Sequence, residues 1–319
     1  MKRLFLNLDN TLQGSLAILF ASLLWGTTGT AASFAPSINP LAIGAFSMGV
    51  GGLLLSLCAY KKLHQDWQKL LQNKRVLLIG TLGLAVYPLA FYSSMRLAGV
   101  AVGTVVSIAS APFMTMMIER LFGKKQTVSS RWLLSFLLGT AGIALLTFAE
   151  HADDGQNAEQ ASRLLGILLG LVAGLSYSVY AWVAKRLIDN NVQSESAMAA
   201  IFGSGALLLL PSLVFTGGEL FSSPLNATVS LYMALVPMFV GYLAFGFALR
   251  HVNASKATLL TLFEPVVAAV LAVVIVGELI SVQGWAGMGL IMVCLYLQAT
   301  EKQAVVENSR GICQPEKAG

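Results

Sequence analysis

Charge is what this chain has least of. Only 11% of its 319 residues are Asp, Glu, Lys or Arg, while 56% are hydrophobic and the mean hydropathy is +0.74; an ordinary soluble domain carries about a quarter charged residues. That deficit excludes an ordinary soluble enzyme. Cysteine is scarce as well: Cys58, Cys294 and Cys313 form no CxxC and pair with no histidine, so neither a disulfide framework nor a metal site is expected, and no cofactor. The three histidines, His64, His151 and His251, fall in loops or at the end of an apolar run. No Gly-x-Ser-x-Gly elbow and no phosphate-cradling Gly-x-x-x-x-Gly-Lys-Ser/Thr loop occurs. An intramembrane hydrolase would lack its base, and an ATP-driven pump its nucleotide site.

What the chain does have is long apolar runs. A helix needs about 20 apolar residues to cross a bilayer, and charge-free runs near that length lie at 14–35, 40–60, 76–95, 97–118, 132–149, 164–184, 196–217, 228–249, 257–277 and 281–299. With no water in the bilayer core to satisfy the backbone, runs this long and uniform are helices, not barrel strands. The first run follows Lys2 and Arg3 as a signal peptide would, but it exceeds a signal h-region and is expected to be retained. The expected fold is an all-α polytopic membrane protein with ten transmembrane helices as two inverted five-helix repeats. The expected organisation is a cytoplasmic N-terminal tail 1–13, a first repeat 14–149, an acidic extracytoplasmic linker 150–163, a second repeat 164–299 and a cytoplasmic C-terminal tail 300–319.

The net charge of +5 is a topology signal, not a nucleic-acid footprint. With both termini in the cytoplasm, only Arg96 and Arg163 of the 20 Lys and Arg residues fall on the outer side, as the positive-inside rule requires. The expected location is the inner or plasma membrane, with several passes and both termini cytoplasmic. The segment 61–75 carries five basic residues with Trp67, Leu63, Leu70 and Leu71, and reads as an amphipathic helix on the cytoplasmic surface or as a connecting loop.

The two halves share landmarks. Pro112 and Pro265 are 153 residues apart, as are Trp132 and Trp285; Arg96 and Arg250 are 154 apart, and Pro88 and Pro237 are 149 apart. Five spans per half is an odd number, so the second half enters the membrane from the opposite side. Inverted repeats suit alternating access around a site at their interface. Together with Trp25-Gly26, Glu264-Pro265, Gly277-Glu278, Gly284-Trp285 and Gly287, the arrangement resembles the EamA-domain group of the drug/metabolite transporter superfamily over roughly residues 14–299. The resemblance implies an efflux transporter in which the first four helices of each half rock around a central cavity, with the fifth and tenth packed outside. Two departures stand out: the first half has Gly123-Lys124, with Glu119-Arg120 shifted earlier, and the equivalent of Glu264 is Ala111. Both departures count against a mechanism that needs a matching acidic residue in each half.

Glu264 is the ionisable residue clearly inside an expected span. Such groups usually face a cavity or a partner and mark ion or substrate paths, which makes it a candidate proton-coupling or structural carboxyl. Trp25, Tyr87, Ser107, Tyr177, Tyr242, Thr258 and Thr261 are the candidate substrate-binding residues, within a wider polar and aromatic set that includes Thr27, Thr28, Tyr92, Ser110 and Tyr180. Thr258, Thr261 and Glu264 are spaced to share one helical stripe. Pro88, Pro112, Pro237 and Pro265, each freeing a carbonyl four residues back, are candidate hinges. The partners expected are a small-molecule substrate and the lipid bilayer, not nucleic acid; small-residue spacings such as Gly166, Gly170 and Gly174 signal close helix packing and leave a homodimer open. The functional expectation is a secondary active exporter of a small metabolite (an amino acid, amine or drug-like compound); the alternatives are a passive channel or facilitator, or a membrane scaffold.

Overall fold

The structure is a computed structural model that describes residues 9–98, 100–122, 129–149, 160–277 and 281–299. Residues 1–8 of the expected N-terminal tail, 150–159 of the acidic linker, the tail 300–319, Gly123-Lys124 and Glu278 lie outside the described residues. Among the described residues every element is helical and no strand occurs. In chain order these are α1 (Asn10–Ser33), α2 (Pro40–Cys58), α3 (Tyr60–Gln72), α4 (Lys74–Ala98), α5 (Val100–Phe122), α6 (Ser130–Ala149), α7 (Gln160–Asp189) and α8 (Ser194–Leu209). Then follow α9 (Leu213–Thr216), α10 (Pro224–Met233), α11 (Gly241–Ala248), α12 (Ala254–Leu260), α13 (Phe263–Leu271) and α14 (Val282–Ala299). Among the described residues seven helical segments are long and apolar enough to cross a membrane, and Ser130–Leu145 and Val282–Gln298 are shorter apolar helices. The chain is a multi-pass membrane protein.

Its outer surface is that of a protein solvated by lipid: Phe215, Val214, Leu207 and Leu57 are among many large apolar side chains left exposed. Polar side chains inside the apolar helices bond to their own backbone, as Ser107 does to the Gly103 carbonyl and Thr115 to that of Ala111. Starts are marked by local signals. Asn39 accepts from the Leu41 N–H ahead of Pro40 at the head of α2, Ser223 caps α10 ahead of Pro224, and Asn253 caps α12 through the Lys256 N–H.

Helix pairings across the chain come in matched sets. α4 packs on α7 as α10 and α11 pack on α1; α5 packs on α7 as α12 and α13 pack on α1; α2 packs on α8, and α6 on α14. Close approach is needed at Gly52, where a Cβ would lie 2.4 Å from the Phe202 carbonyl oxygen, so only glycine lets α2 lie this near α8. Gly166, Gly170 and Gly174 face Ala98, Ser94 and Ser110 of the same chain, so this small-residue stripe is filled by α4 and α5.

Two helical rods of the second half are irregular. Between α10 and α11 the chain runs as a π-helix over Ala234–Val240 with Pro237 inside it, and a second π-helix over Ala272–Val276 follows α13. Pro88 and Pro112 instead lie inside the continuous helices α4 and α5. Ahead of Pro265 the rod breaks at Thr261-Leu262, and the Thr261 carbonyl accepts the Glu264 N–H at 2.9 Å. The break interrupts the helical stripe that the spacing of Thr258, Thr261 and Glu264 predicts.

Candidate functional site

A cavity lies at the centre of the bundle, walled by α1, α2, α4, α7, the α10–α11 rod and α13, with about 70 Å³ open to the centres of water-sized molecules. That is room for several waters. α1 contributes Trp25 and Thr28, and α2 contributes Gly44, Ser47 and Met48. From α4 come Tyr87, Pro88, Phe91 and Tyr92, and from α7 Tyr177 and Tyr180. The α10–α11 rod supplies Met233, Met238 and Tyr242, and α13 supplies Glu264, the one charged side chain in the wall. Among the described residues no hydrogen bond or ion pair holds its carboxylate.

Trp25 is placed by its neighbour. Gly26 presses α1 against the break before Pro265, where a Cβ would come within 2.8 Å of the Glu264 carbonyl oxygen and 2.6 Å of the Val267 side chain. The Trp25 indole N–H then donates to the Pro237 carbonyl at 2.9 Å, inside the π-helix, and its ring lies 4.9 Å from that of Tyr242. Ser178, next to Tyr177 on α7, sets its hydroxyl 2.8 Å from the carbonyl of Ala111, the residue before Pro112.

The aromatic wall is tied together at its polar edges. Tyr177 donates to the Thr261 hydroxyl at 3.2 Å, Thr261 donates onward to the Thr258 carbonyl at 2.7 Å, and the Tyr180 and Tyr242 hydroxyls lie 2.9 Å apart. Tyr87 stands 5.9 Å from Tyr177 and 6.0 Å from Tyr180, ring centre to ring centre, and Phe202 closes on Tyr242 at 4.2 Å. Beyond this floor the bundle is solid: Ala184, Leu187, Met198, Ile201, Ala248 and Leu249 are all buried.

Past that plug, α3 is fastened across to the turn joining α7 and α8. Asp66 is buried and accepts from Lys69 at 2.7 Å and from the Gln193 N–H at 2.8 Å, while Lys69 also donates to the Asn191 carbonyl at 2.7 Å. Lys62 pairs with Glu195 at 2.7 Å, and Asn190 donates to Asn73 at 2.8 Å. Burial pushes the Asp66 carboxyl up, but the bonds from Lys69 and the Gln193 N–H outweigh it and hold the group below its ordinary 3.8. A second carboxylate, Glu119 of α5, accepts from the Ala254 N–H at 2.8 Å at the head of α12.

Of the residues singled out from sequence, Trp25, Tyr87, Tyr177, Tyr242, Glu264 and Pro88 line the cavity, and Pro237 touches it through the carbonyl that holds Trp25. Thr261 stands one layer behind, supporting Tyr177. Ser107 and Thr258 are buried away from the cavity and bond to backbone carbonyls, and Pro112 and Pro265 do not line it. Sequence reasoning passed over the α2 wall of Gly44, Ser47 and Met48, and also Phe91, Met233 and Met238. A serine inside the apolar run of α2 is the one signal that pointed there. Among the described residues, no three His, Cys, Asp or Glu side chains gather to hold a metal ion.

Comparison with known proteins gives one family. The model of the EamA-like transporter family matches the chain twice, over residues 12–148 and 164–300. The chain is 33% identical over 299 residues to a Bacillus subtilis protein named "Uncharacterized transporter YwfM", covering 92% of this chain and 96% of that one. It is 25% identical over 267 residues to a Streptantibioticus cattleyicolor protein named "Probable terminal-alkyne amino-acid exporter", covering 80% and 86%. A solved crystal structure shares the fold with a TM-score of 0.74 at 19% identity, covering 89% of this chain and 95% of that chain.

Proposed function

Because this chain belongs to the EamA-like transporter family, we propose that it is a secondary active transporter that exports a small metabolite by alternating access, driven by protons through Glu264. The observation that carries the reading is the central cavity with its lone carboxylate, sealed toward α3 by an aromatic floor and a solid plug. A channel would need a continuous path; a carrier needs a site shut on one side.

The architecture of the proposal is ten transmembrane helices in two inverted five-helix repeats, 14–149 and 164–299, joined by the 150–163 linker. The twofold family match, the matched helix pairings, and the equivalence of Gly26 on the Glu264 carbonyl with Ser178 on that of Ala111 all support it. The distribution of Lys and Arg supports cytoplasmic termini, which puts α3 and the sealed side of the cavity toward the cytoplasm. Pro237 and Pro265, at the π-helix and at the rod break, are then the hinges of the second half, with Pro88 and Pro112 as their counterparts. The exporter named among the relatives supports outward movement of an amino compound.

The test is counterflow in proteoliposomes against labelled amino acids, amines, nucleosides and sugars, with and without an imposed pH gradient. Saturable counterflow stimulated by the gradient is expected, and Glu264→Gln is expected to abolish the pH-driven component while leaving expression in place. Full pH dependence in that variant would refute coupling through Glu264.

A further inference from the structure

Resting on the reading of the cavity as the substrate site, we infer that its substrate is an organic cation, an ammonium group on an apolar or aromatic body, and not a zwitterion or an anion. The argument starts from what the wall can still offer. Trp25 has given its N–H to Pro237, Tyr177 has given its hydroxyl to Thr261, and one of the Tyr180 and Tyr242 hydroxyls donates to the other. These four side chains line the cavity, and three of their four donors are used within the wall, so what they present to a guest is mostly ring surface.

Ring faces are electron-rich and attract a cation held within about 6 Å of the ring centre, most strongly when water is excluded. Glu264 supplies the one acidic side chain beside them, and no Lys, Arg or His stands in the wall to pair with it or to receive a substrate carboxylate. An anion would be desolvated next to a like charge. A zwitterion would satisfy its ammonium and leave its carboxylate to neutral hydroxyls alone, those of Thr28, Ser47, Tyr87 and Tyr92, with no cation to pair with. Met48, Met233 and Met238 complete the wall with unbranched, adaptable thioethers, which suit an apolar body of variable shape.

The experiment uses the purified full-length chain and four probes that share one phenylethyl body: phenethylamine, its N,N,N-trimethyl derivative, phenylalanine and 3-phenylpropionate. Binding is measured by titration calorimetry, and counterflow of the same probes is followed in proteoliposomes. The two cations are expected to bind at least tenfold more tightly than phenylalanine, with 3-phenylpropionate not bound. Retention of the trimethyl derivative, which has no N–H to donate, is the signature of ring recognition. Glu264→Gln should weaken both cations at least tenfold and Glu264→Asp less; Tyr87→Leu should weaken the trimethyl probe more than Tyr87→Phe does.

Phenylalanine equal to or tighter than phenethylamine, no binding of either cation, or cation affinity indifferent to Glu264 and to the Tyr87 ring would each overturn the inference. Counterflow of phenylalanine without phenethylamine would do so while leaving the carrier reading intact. Cation binding without any counterflow would uphold the site and refute the carrier.

Discussion

Removing the Asp66 carboxylate should loosen the sealed side of the molecule. Asp66→Ala takes away the acceptor for the Gln193 N–H at the head of α8, a capping interaction of about 1 kcal/mol. It also removes the partner of Lys69, whose side chain is 44% exposed, so that pair adds no more than about 1 kcal/mol after solvent screening. The total of about 2 kcal/mol corresponds to a roughly 30-fold change in an equilibrium constant. If the site opens toward α3 by parting α3 from the α7–α8 turn, that factor acts directly on the opened population. The assay is labelling by a membrane-impermeant maleimide at Met198→Cys, a buried position between the turn and the cavity floor, with Cys58, Cys294 and Cys313 replaced by Ala. Applied from the α3 side, the reagent should react at least tenfold faster when Asp66→Ala is added. The effect should be flat with pH. A carboxyl held below its ordinary 3.8 contributes fully above that value and loses its contribution only as pH falls through the lower folded one, so nothing changes between pH 5 and 8. Lowered thermal stability with unchanged labelling would refute the reasoning and leave Asp66 as a fold anchor alone.

Trp25→Phe keeps the ring against Tyr242 but removes the donor to the Pro237 carbonyl, and should lower stability by about 1 kcal/mol, read as a fall in the thermal midpoint in detergent. Gly26→Ala forces a methyl against the Val267 side chain and the Glu264 carbonyl and should cost about 1–3 kcal/mol by the same measurement; an unchanged midpoint would mean that α1 and α13 are not packed this closely. Lys62→Ala breaks an ion pair whose side chains are 41% and 35% exposed and should move stability by less than about 1 kcal/mol, in contrast to Asp66→Ala. Tyr177→Phe removes the donor to Thr261 and should cost about 1 kcal/mol, with Thr261→Val adding little further loss in a double-mutant cycle.

The helices were legible because apolarity over some twenty residues admits few alternatives, and α3 was legible from its basic and apolar spacing. Rotation about each helix axis was harder to read. α2 is buried on several sides, from Ala42 through Gly52, so no polar face announced that Gly44, Ser47 and Met48 turn inward. Ser107 and Thr258 misled for the opposite reason: a hydroxyl in an apolar helix can satisfy itself on the carbonyl one turn back and needs no cavity. The stripe through Thr258, Thr261 and Glu264 assumed an unbroken helix; Pro265 signals the disruption, but its position alone does not say that the turn tightens at Thr261 and sends that hydroxyl to Tyr177. Trp25 and Glu264 were legible because an indole and a carboxyl deep in apolar runs each demand a partner or a pocket.

The π-helix at Ala234–Val240 carries more residues per turn than the α-helices on either side of it. It therefore stores a phase offset. Each residue of an α-helix advances the side chains by about 100°, so if this stretch shed one residue into α geometry, everything beyond it would turn by roughly that angle. Tyr242, two residues past its end, would swing away from Tyr180 and Phe202 and take the floor of the cavity with it. The rod would act as a shutter that opens by rotation, without unfolding.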